Sequence, residues 1–487
     1  MGDLASDIRQ IVEQVLKNPD FASLLSGAAS AGPASESAAH RGVVPLGPGV
    51  FPDVDSAVAA AAVAQRELVQ LPLDTRRRLI EGMRQAVAAN NASLSADAVA
   101  ETGLGNLTDK QAKNTLALTK TPGVEDVEPA ACSDEHGLTL TERAPYGVIG
   151  AITPVTNPIA TITSNSIGMI AAGNSVVFNV HPGAKKISVR LVGILNEAIV
   201  KEGGPQNLLC AVANPTIESA NQLMKHKGVA LLVVTGGPAV VKAAMGSGRK
   251  AICAGPGNPP CVVDETADLV KAGRDIVAGS SFDNNVVCIC EKEVLAVASI
   301  ADRLKEEMKK NGAFELAGGQ VEAVTKLVIA EAGGPDKEGA PNKSFVGKDA
   351  SAIAKAAGIE APAGTKLLLM EVGREHPLVW TEQLMPVLPL VRMGNVDEAI
   401  ELAVQVEHGF RHTAMIHSHN IEKLSKMARV MNCSLFVKNG PCYAGLGFGG
   451  AGYTSFTIAS PTGEGITRAR TFTRERRCTL VDYFRIV

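Results

Sequence analysis

Aromatic side chains are scarce in this 487-residue chain, which has one tryptophan, four tyrosines and an aromatic content of 3%. It also lacks an excess of charge of either sign, because 47 basic residues are balanced by 50 acidic residues for a formal net charge of -3. Nucleic acids and anionic membrane surfaces are usually gathered by a strong basic field. The composition therefore predicts neither a nucleic-acid partner nor a membrane partner.

The nine cysteines follow no disulfide or metal-binding pattern. Their number is odd, they are thinly spread, and no secretory signal peptide precedes them, which is typical of free thiols in a reducing compartment. Cys288 and Cys290 stand one residue apart, but the second pair or the histidine cluster of a zinc site is missing. We expect free thiols, no bound metal and a cytoplasmic protein.

A membrane span is also not expected, although residues 144–184 contain no Asp, Glu, Lys or Arg. The segment is long enough to cross a bilayer, but prolines, asparagines and many serines and threonines interrupt it. Such a stretch is better explained as a buried strand, a loop and a buried helix that line a site.

Length and glycine content indicate an α/β protein of two or more domains, since 487 residues exceed what one core usually supports and 48 are glycine. Helices are predicted near 56–70 and 74–93, with a less regular stretch to about 127 and a strand at 138–145. Apolar runs then alternate with helical patterns from residue 147, through a last strand PCVVD at 260–264, and again after residue 268. This alternation predicts parallel sheets covered on both faces.

The N-terminus is a separate case. Residues 1–20 place apolar side chains on one helical stripe, and residues 21–42 form a flexible linker rich in Ala, Ser and Gly. A short helix held off the body by a linker is expected to dock elsewhere; folding back on its own domain is the alternative.

Three loops that follow predicted strands are the first candidates for a ligand site, because ligands bind at the carboxyl ends of parallel strands. PVTNP offers the amide of Asn157, HPGAKK opens a helix, and TGGP allows close backbone approach to phosphate. None is a G-x-G-x-x-G fingerprint. Asn157 as a plain helix cap, and Gly236 and Gly237 as plain turn residues, remain open alternatives.

The stretch SFDNNVVCICEKEV, residues 281–294, raises the question of a nucleophile. A catalytic thiol needs an environment that favours the thiolate and N–H groups that hold an oxyanion. In a run such as VVCIC, cysteines more often pack in a core. The residues alone leave both interpretations of Cys288 open.

The whole set of motifs resembles the aldehyde dehydrogenase superfamily, and within it the CoA-acylating aldehyde dehydrogenases of bacterial microcompartments. The resemblance runs from about residue 57 to the end and rests on PYGVIGAITPVTNP, GNSVVFN, HPGAKK, VVTGGP, AGPGNPP, FDNNVVC, EQLMPVLP and GEGITRARTFTRERRC. The FDNN run and the C-terminal block resemble the acylating branch in particular. The glycine-rich stretch 440–465 would form plain turns or a mobile loop near the substrate.

The resemblance implies two parallel-sheet α/β domains and a small β oligomerisation arm, hence a homodimer or homotetramer. Residues 1–20 resemble an encapsulation helix that docks on a shell or cargo protein of a microcompartment, with the linker at 21–42. The implied limits are 43–128 and 147–265 for a Rossmann-like cofactor domain, 266–450 for the catalytic domain, and 129–146 and 466–487 for the arm.

Carried over onto the matching residues, the resemblance makes Cys288 the nucleophile and places Asn157 with the Cys288 N–H in the oxyanion hole, while Cys290 only packs. The implied ligands are a short-chain aldehyde, NAD and CoA, with propionaldehyde favoured and acetaldehyde as the alternative. The implied cofactor-binding residues are Thr153, Pro154, Asn179, His181, Pro182, Thr235, Gly236, Gly237, Gly255 and Glu382.

Two positions depart from the hydrolytic relatives. Ala254 stands where those enzymes carry the glutamate that activates water, so a thiol acceptor such as CoA is expected instead. Asn179 stands where they carry a lysine on the adenine ribose, which leaves the choice between NAD and NADP open. A hydrolytic enzyme and a scaffold with a vestigial site remain as alternatives.

Overall fold

The computed structural model describes residues 46–335 and 337–487, so the predicted N-terminal helix and linker lie outside the described residues. In chain order the strands are β1 Val50–Phe51, β2 Ala130–Asp134, β3 Gly137–Pro145, β4 Val148–Thr153, β5 Ser175–Val180, β6 Leu209–Val212, β7 Leu231–Thr235, β8 Ala251–Ala254, β9 Pro260–Val263, β10 Glu293–Val297, β11 Ala313–Leu316, β12 Ile329–Glu331, β13 Ala340–Pro341, β14 Leu367–Val372, β15 Val387–Met393, β16 Thr413–His417, β17 Leu435–Lys438, β18 Ile458–Ala459, β19 Gly465–Ile466 and β20 Thr473–Val481. The α-helices are α1 Val54–Leu68, α2 Leu73–Thr102, α3 Leu107–Lys120, α4 Pro158–Ala171, α5 Lys185–Lys201, α6 Ile217–Lys225, α7 Pro238–Met245, α8 Leu269–Ser281, α9 Ala298–Lys310, α10 Gly319–Val328, α11 Ala350–Ala356, α12 Val396–Val406 and α13 Ile421–Met431.

Two parallel sheets organise the described chain, which confirms the predicted fold class. The first has six strands in the order β1-β6-β5-β4-β7-β8, and the second has seven in the order β11-β14-β15-β10-β9-β16-β17. Each carries an apolar core on both faces, as parallel sheets with crossover helices require.

The uncharged segment is buried as predicted. Every residue of β4, α4 and β5 is buried, because α4 lies between the first sheet and neighbouring helices. None of the helices in residues 46–335 and 337–487 is long and apolar enough to cross a membrane.

One strand lies in a different sheet from the one predicted. We placed PCVVD in the first series, but β9 pairs with β10 and β16 in the seven-stranded sheet. Only five residues separate β8 from β9, too few for the crossover that a parallel neighbour in the same sheet needs. The limits of the two domains stay a prediction.

The stretch predicted as less regular is helical. Helix α2 continues to Thr102 and α3 covers Leu107–Lys120. Local propensity hides α3, because its buried face includes Lys110, Lys113 and Asn114, whose burial depends on partners far away in the chain.

The predicted arm is a three-stranded antiparallel sheet of β2, β3 and β20. Residues of β20 after Thr473 are all exposed, and the C-terminal apolar side chains Val481, Phe484 and Ile486 are 60%, 68% and 94% accessible. A monomer rarely exposes such a row of apolar groups without a partner.

Candidate active site

The first side of the site is the carboxyl edge of the six-stranded sheet. Thr153 at the end of β4 is in register with Val180 of β5, and Ile152 is in register with Val234 of β7. Strands that follow β4 in sequence therefore lie on both of its sides. This change of direction opens a crevice at the carboxyl ends of the strands, where α/β sheets bind ligands. The PVTNP loop leaves β4 at this point and carries Asn157.

The second side is the amino edge of the seven-stranded sheet. Cys288 precedes β10, Gly257 precedes β9, Glu382 precedes β15 and His412 precedes β16, and these four strands are neighbours in the order β15-β10-β9-β16. The rule that ligands bind at the carboxyl ends of parallel strands does not predict a site at this amino edge. The two motifs around residues 257 and 382 are thus brought next to Cys288 by strand order alone.

Cys288 lies in a turn, not in a strand. It is part-exposed, whereas Cys290 has no exposed surface. All nine cysteines are free, as expected. No cluster of three or more possible metal ligands exists in the described part of the chain.

The turn before the nucleophile owes its shape to three consecutive left-handed residues. Asp283, Asn284 and Asn285 have φ angles of 48°, 54° and 64°, a region that Asp and Asn tolerate better than most side chains. The amide of Asn285 donates to the carbonyl groups of Ser280 and Glu291 at 2.7 and 3.1 Å. These bonds close the turn and explain the Asp-Asn-Asn run before Cys288.

The partial burial of Cys288 disfavours its thiolate form. It raises the pKa of Cys288 to about 12, with a second contribution from the negative charge of Glu382, while the Lys292 ammonium works in the opposite direction. A thiolate is the reactive form. The reaction therefore needs a proton acceptor or a bound positive charge to generate it.

Asn157 does not act as a side-chain cap. It occupies the N-cap position of α4, but its side chain makes no capping hydrogen bond within the described residues. The carbonyl Oδ1 instead accepts a hydrogen bond from the Lys113 ammonium at 2.5 Å, and Nδ2 donates to Thr156 Oγ1 at 3.2 Å. Asn157 is 8% exposed, so its amide is held at the edge of the site.

Apart from Glu382, which precedes β15 of the second sheet, the predicted nucleotide-binding residues lie along the carboxyl edge of the first sheet. Thr153 is buried and its Oγ1 has no hydrogen-bond partner among the described residues. Pro154 is part-exposed, while His181 and Pro182 are exposed. Asn179 is already engaged, since its Oδ1 accepts from Ser219 Oγ at 2.6 Å.

The TGGP loop leaves room for a phosphate. Gly237 is the N-cap of α7 without a side-chain cap, and a Cβ at Gly237 would meet no atom within 4 Å. A Cβ at Gly236 would lie 2.7 Å from Val240 Cγ1, so a side chain there would have to displace Val240. Thr235 Oγ1 lies 3.0 Å from Thr457 Oγ1. Open N–H groups at a helix start suit the pyrophosphate of a dinucleotide.

A close approach also requires glycine at position 257. A Cβ there would lie 2.8 Å from the ring of His412 and 3.1 Å from the carbonyl oxygen of Cys288. At Gly255, a Cβ would lie 3.0 Å from Pro461 Cγ. The carboxyl of Glu382 accepts from the Gly257 N–H at 3.2 Å, and burial raises its pKa to about 7.

Two groups beside the site were missed at the sequence level. His412 is fully buried, its Nε2 has no partner among the described residues, and burial lowers its pKa to about 4. A histidine immediately before the strand TAMIH was the available signal. Lys113 gave no local signal, because its partners Asn157 and Asp283 are distant in sequence.

The chain matches known proteins over most of its length. A model of the "Aldehyde dehydrogenase family" matches residues 49–327. A curated relative, the acetaldehyde dehydrogenase (acetylating) EutE of Salmonella typhimurium, is 50% identical over 440 residues, which are 90% of this chain and 94% of that protein.

Two solved structures are similar throughout. One is the propionaldehyde dehydrogenase of Rhodopseudomonas palustris with bound CoA and an acylated cysteine, which has a TM-score of 0.87 and is 50% identical in sequence. The match covers 90% of this chain and 99% of the Rhodopseudomonas palustris chain. The other is a propionaldehyde dehydrogenase from the fucose utilisation microcompartment of Clostridium phytofermentans, which has a TM-score of 0.87 and is 45% identical in sequence. The match covers 90% of this chain and 100% of the Clostridium phytofermentans chain. With these matches over nearly all of the described residues, the chain belongs to the aldehyde dehydrogenase family.

Proposed function

We propose that this protein is a CoA-acylating aldehyde dehydrogenase, which converts a short-chain aldehyde, NAD⁺ and CoA into acyl-CoA, NADH and a proton. One observation carries the proposal. Residues 254–260 connect β8 to β9 and place Gly257 beside Cys288. This segment reads AGPGNPP and contains no ionisable side chain. A nucleophilic thiol without a base for water on that loop favours a thiol acceptor over hydrolysis.

Cys288 would carry the acyl group. Its Sγ adds to the aldehyde carbonyl, and the carbonyl oxygen takes up the negative charge in a tetrahedral adduct. Asn157 Nδ2 and the Cys288 N–H would donate to that oxygen, which stabilises charge as it develops. Loss of hydride leaves a thioester on Cys288, and the sulfur of CoA then displaces Cys288 Sγ. The acylated cysteine of the Rhodopseudomonas palustris enzyme supports this sequence of steps.

The nicotinamide cofactor, when bound, supplies the hydride acceptor. Thr153 Oγ1 would bind it, the open N–H groups after Gly236 would face its pyrophosphate, and Glu382 would hold its ribose. The free Thr153 hydroxyl and the empty space at Gly237 support these roles. Asn179 would contribute to the cofactor site while its Oδ1 accepts from Ser219 in the first turn of α6.

For the aldehyde, we favour propionaldehyde, with acetaldehyde as the alternative. Relatives of nearly equal identity act on either one. The two substrates differ by one methylene, worth about 1 kcal/mol in an apolar pocket. Values of kcat/KM for the C2, C3 and C4 aldehydes decide between them, and a preference for C2 would refute propionaldehyde.

We propose a homodimer or homotetramer formed through the arm, and a location inside a bacterial microcompartment. The exposed apolar end of β20 supports assembly into a homodimer or homotetramer. Two observations support the location in a microcompartment: the microcompartment origin of the Clostridium phytofermentans relative and the helical stripe of apolar residues predicted in residues 1–20.

The decisive experiment is to follow NADH formation from propionaldehyde with and without CoA, and to identify the product. We expect CoA-dependent turnover to acyl-CoA. Appreciable conversion to free acid without CoA would instead establish the hydrolytic alternative. No activity with any aldehyde would favour a scaffold with a vestigial site.

A further inference from the structure

We propose that Lys113 is a positioning residue for the oxidation step, because its ammonium fixes the amide of Asn157 with Nδ2 turned toward the reacting oxygen. This inference rests on the proposed function. It concerns a residue of α3 that is 2% exposed and that would not itself touch the aldehyde.

The chemistry of the contact determines which way the amide points. An ammonium group can only donate hydrogen bonds, so the Asn157 atom 2.5 Å from Lys113 Nζ has to be the carbonyl oxygen. The Nδ2 group then points away from Lys113, in the same amide plane. One of its hydrogens reaches Thr156 Oγ1 at 3.2 Å, and the second hydrogen remains available for an oxyanion.

A buried carboxylate keeps Lys113 in place. Asp283 has no exposed surface and its Oδ2 forms ion pairs with both Lys113 and Lys110, while its Oδ1 accepts from the Asn106 N–H at 2.9 Å. A buried cation without such a partner would lose its proton or destabilise the fold. The charge of Lys113 is therefore supported by Asp283.

This arrangement connects the oxyanion donor to the nucleophile. Asp283 belongs to the left-handed turn that precedes Cys288 by five residues, so one carboxylate anchors both the turn of Cys288 and the lysine that orients Asn157. A charged donor on Oδ1 also polarises the amide and strengthens Nδ2 as a donor. Lys113 would therefore affect the transition state more than substrate binding.

Lys110 provides a matched control on the same helix. It lies one turn from Lys113, is also buried, and pairs with the same Asp283 oxygen at 3.1 Å, but the hydrogen bond to Asn157 comes from Lys113. Replacing either lysine with methionine removes one cation from Asp283. Only the Lys113 variant releases the amide of Asn157.

The experiment compares Lys113→Met, Lys110→Met, Asn157→Ala and the double variant of positions 113 and 157. Loss of one oxyanion donor lowers kcat by about 100- to 1,000-fold, and we expect Lys113→Met to lower kcat for aldehyde oxidation by about 10- to 100-fold. KM for NAD⁺ and the rate of Cys288 alkylation by iodoacetamide should stay near wild type. Lys110→Met should retain most of kcat.

The double variant separates positioning from a general structural role. If Lys113 acts through Asn157, Lys113→Met has no further effect on kcat once Asn157 is alanine. Equal losses in the two lysine variants, or full additivity with Asn157→Ala, would overturn the inference. Should Lys113→Met fail to fold, Lys113→Gln replaces it, since the glutamine amide removes the charge but can still donate to Oδ1. Its smaller loss of kcat should likewise vanish in the Asn157→Ala background, and a loss that persists there would overturn the inference. Wild-type protein without CoA-dependent turnover would instead refute the proposed function.

Discussion

The backbone N–H of Gly257 donates to the carboxyl of Glu382 at 3.2 Å, and this bond joins the loop before β9 to the loop before β15. Strand β10, which follows Cys288, lies between those two strands. The nucleophile therefore lies between a glycine that leaves it space and a carboxyl whose charge acts on its pKa.

The two neighbouring cysteines should differ completely in function. Cys288→Ala should abolish aldehyde-dependent NADH formation, with a loss of at least about 1,000-fold, because the proposed thioester forms on Cys288 Sγ. Cys290→Ala, the matched control, should keep most of the activity and lose only some packing, since Cys290 is fully buried. Full activity in Cys288→Ala would disprove the assignment of the nucleophile.

Removing the negative charge of Glu382 should make Cys288 more reactive toward alkylation. Burial raises the pKa of Cys288 first and the Glu382 charge adds to it, so Glu382→Gln lowers that pKa and increases the thiolate fraction at a given pH. We expect alkylation by iodoacetamide at pH 8 to be up to about tenfold faster, which corresponds to one pKa unit.

Mass spectrometry of the peptide that carries Cys288 gives the rate of alkylation across pH 6 to 10. Glu375→Gln, a change at an exposed carboxyl, serves as the control and should leave the profile unchanged. A profile of Glu382→Gln that moves to higher pH contradicts the electrostatic effect.

A buried glutamate makes stability depend on pH. Burial raises the pKa of Glu291 from 4.5 to about 7, so its stabilising contribution is complete below about pH 4.5 and is lost as the pH rises through about 7. Glu291→Gln resembles the protonated form and keeps an acceptor for the Cys442 N–H. The variant should lie within about 1 kcal/mol of wild type at pH 5 and exceed it by about 3 kcal/mol at pH 8.

Urea unfolding at one fixed protein concentration measures this difference at both pH values. An advantage of Glu291→Gln that is the same at pH 5 and pH 8 would show that titration of Glu291 is not its cause.

The arm should hold the subunits together. Val481→Glu places a charge in the exposed apolar end of β20, where Val481 is 60% accessible, and should lower the molar mass in light scattering. Ile217→Glu changes an exposed apolar residue on α6, outside the arm, and should leave the mass unchanged. An unchanged mass for Val481→Glu would argue against assembly through this end of the arm.

Residues 1–20 should direct the protein to its compartment without contributing to catalysis. Deleting them should leave activity unchanged and abolish co-localisation with a shell. Ile11→Glu on the apolar stripe should have the same effect, while Gln10→Glu beside the stripe should not, because docking depends on the apolar face. Normal encapsulation of the truncated protein would refute the role of this segment.

Some elements of the fold are readable from sequence because they depend on local patterns. Helix α7 has the predicted bounds, and β4, β5 and β7 lie within a residue or two of the expected apolar runs. The sequence assigned strand β9 to the wrong sheet, because an apolar run of four residues fits either sheet. Only the short loop between β8 and β9 excludes a place beside β8 in the six-stranded sheet.

What the sequence by itself determined is the chemical inventory: one motif with two cysteines, one with a proline-flanked asparagine, and a loop with no ionisable side chain. Only the tertiary structure decided how these meet. Cys288, Gly257 and Glu382 converge because their strands are neighbours, although the loops are far apart in the chain. The contact of Lys113 with Asn157 and Asp283 spans 44 and 170 residues, and such pairings arise from packing that no local pattern encodes.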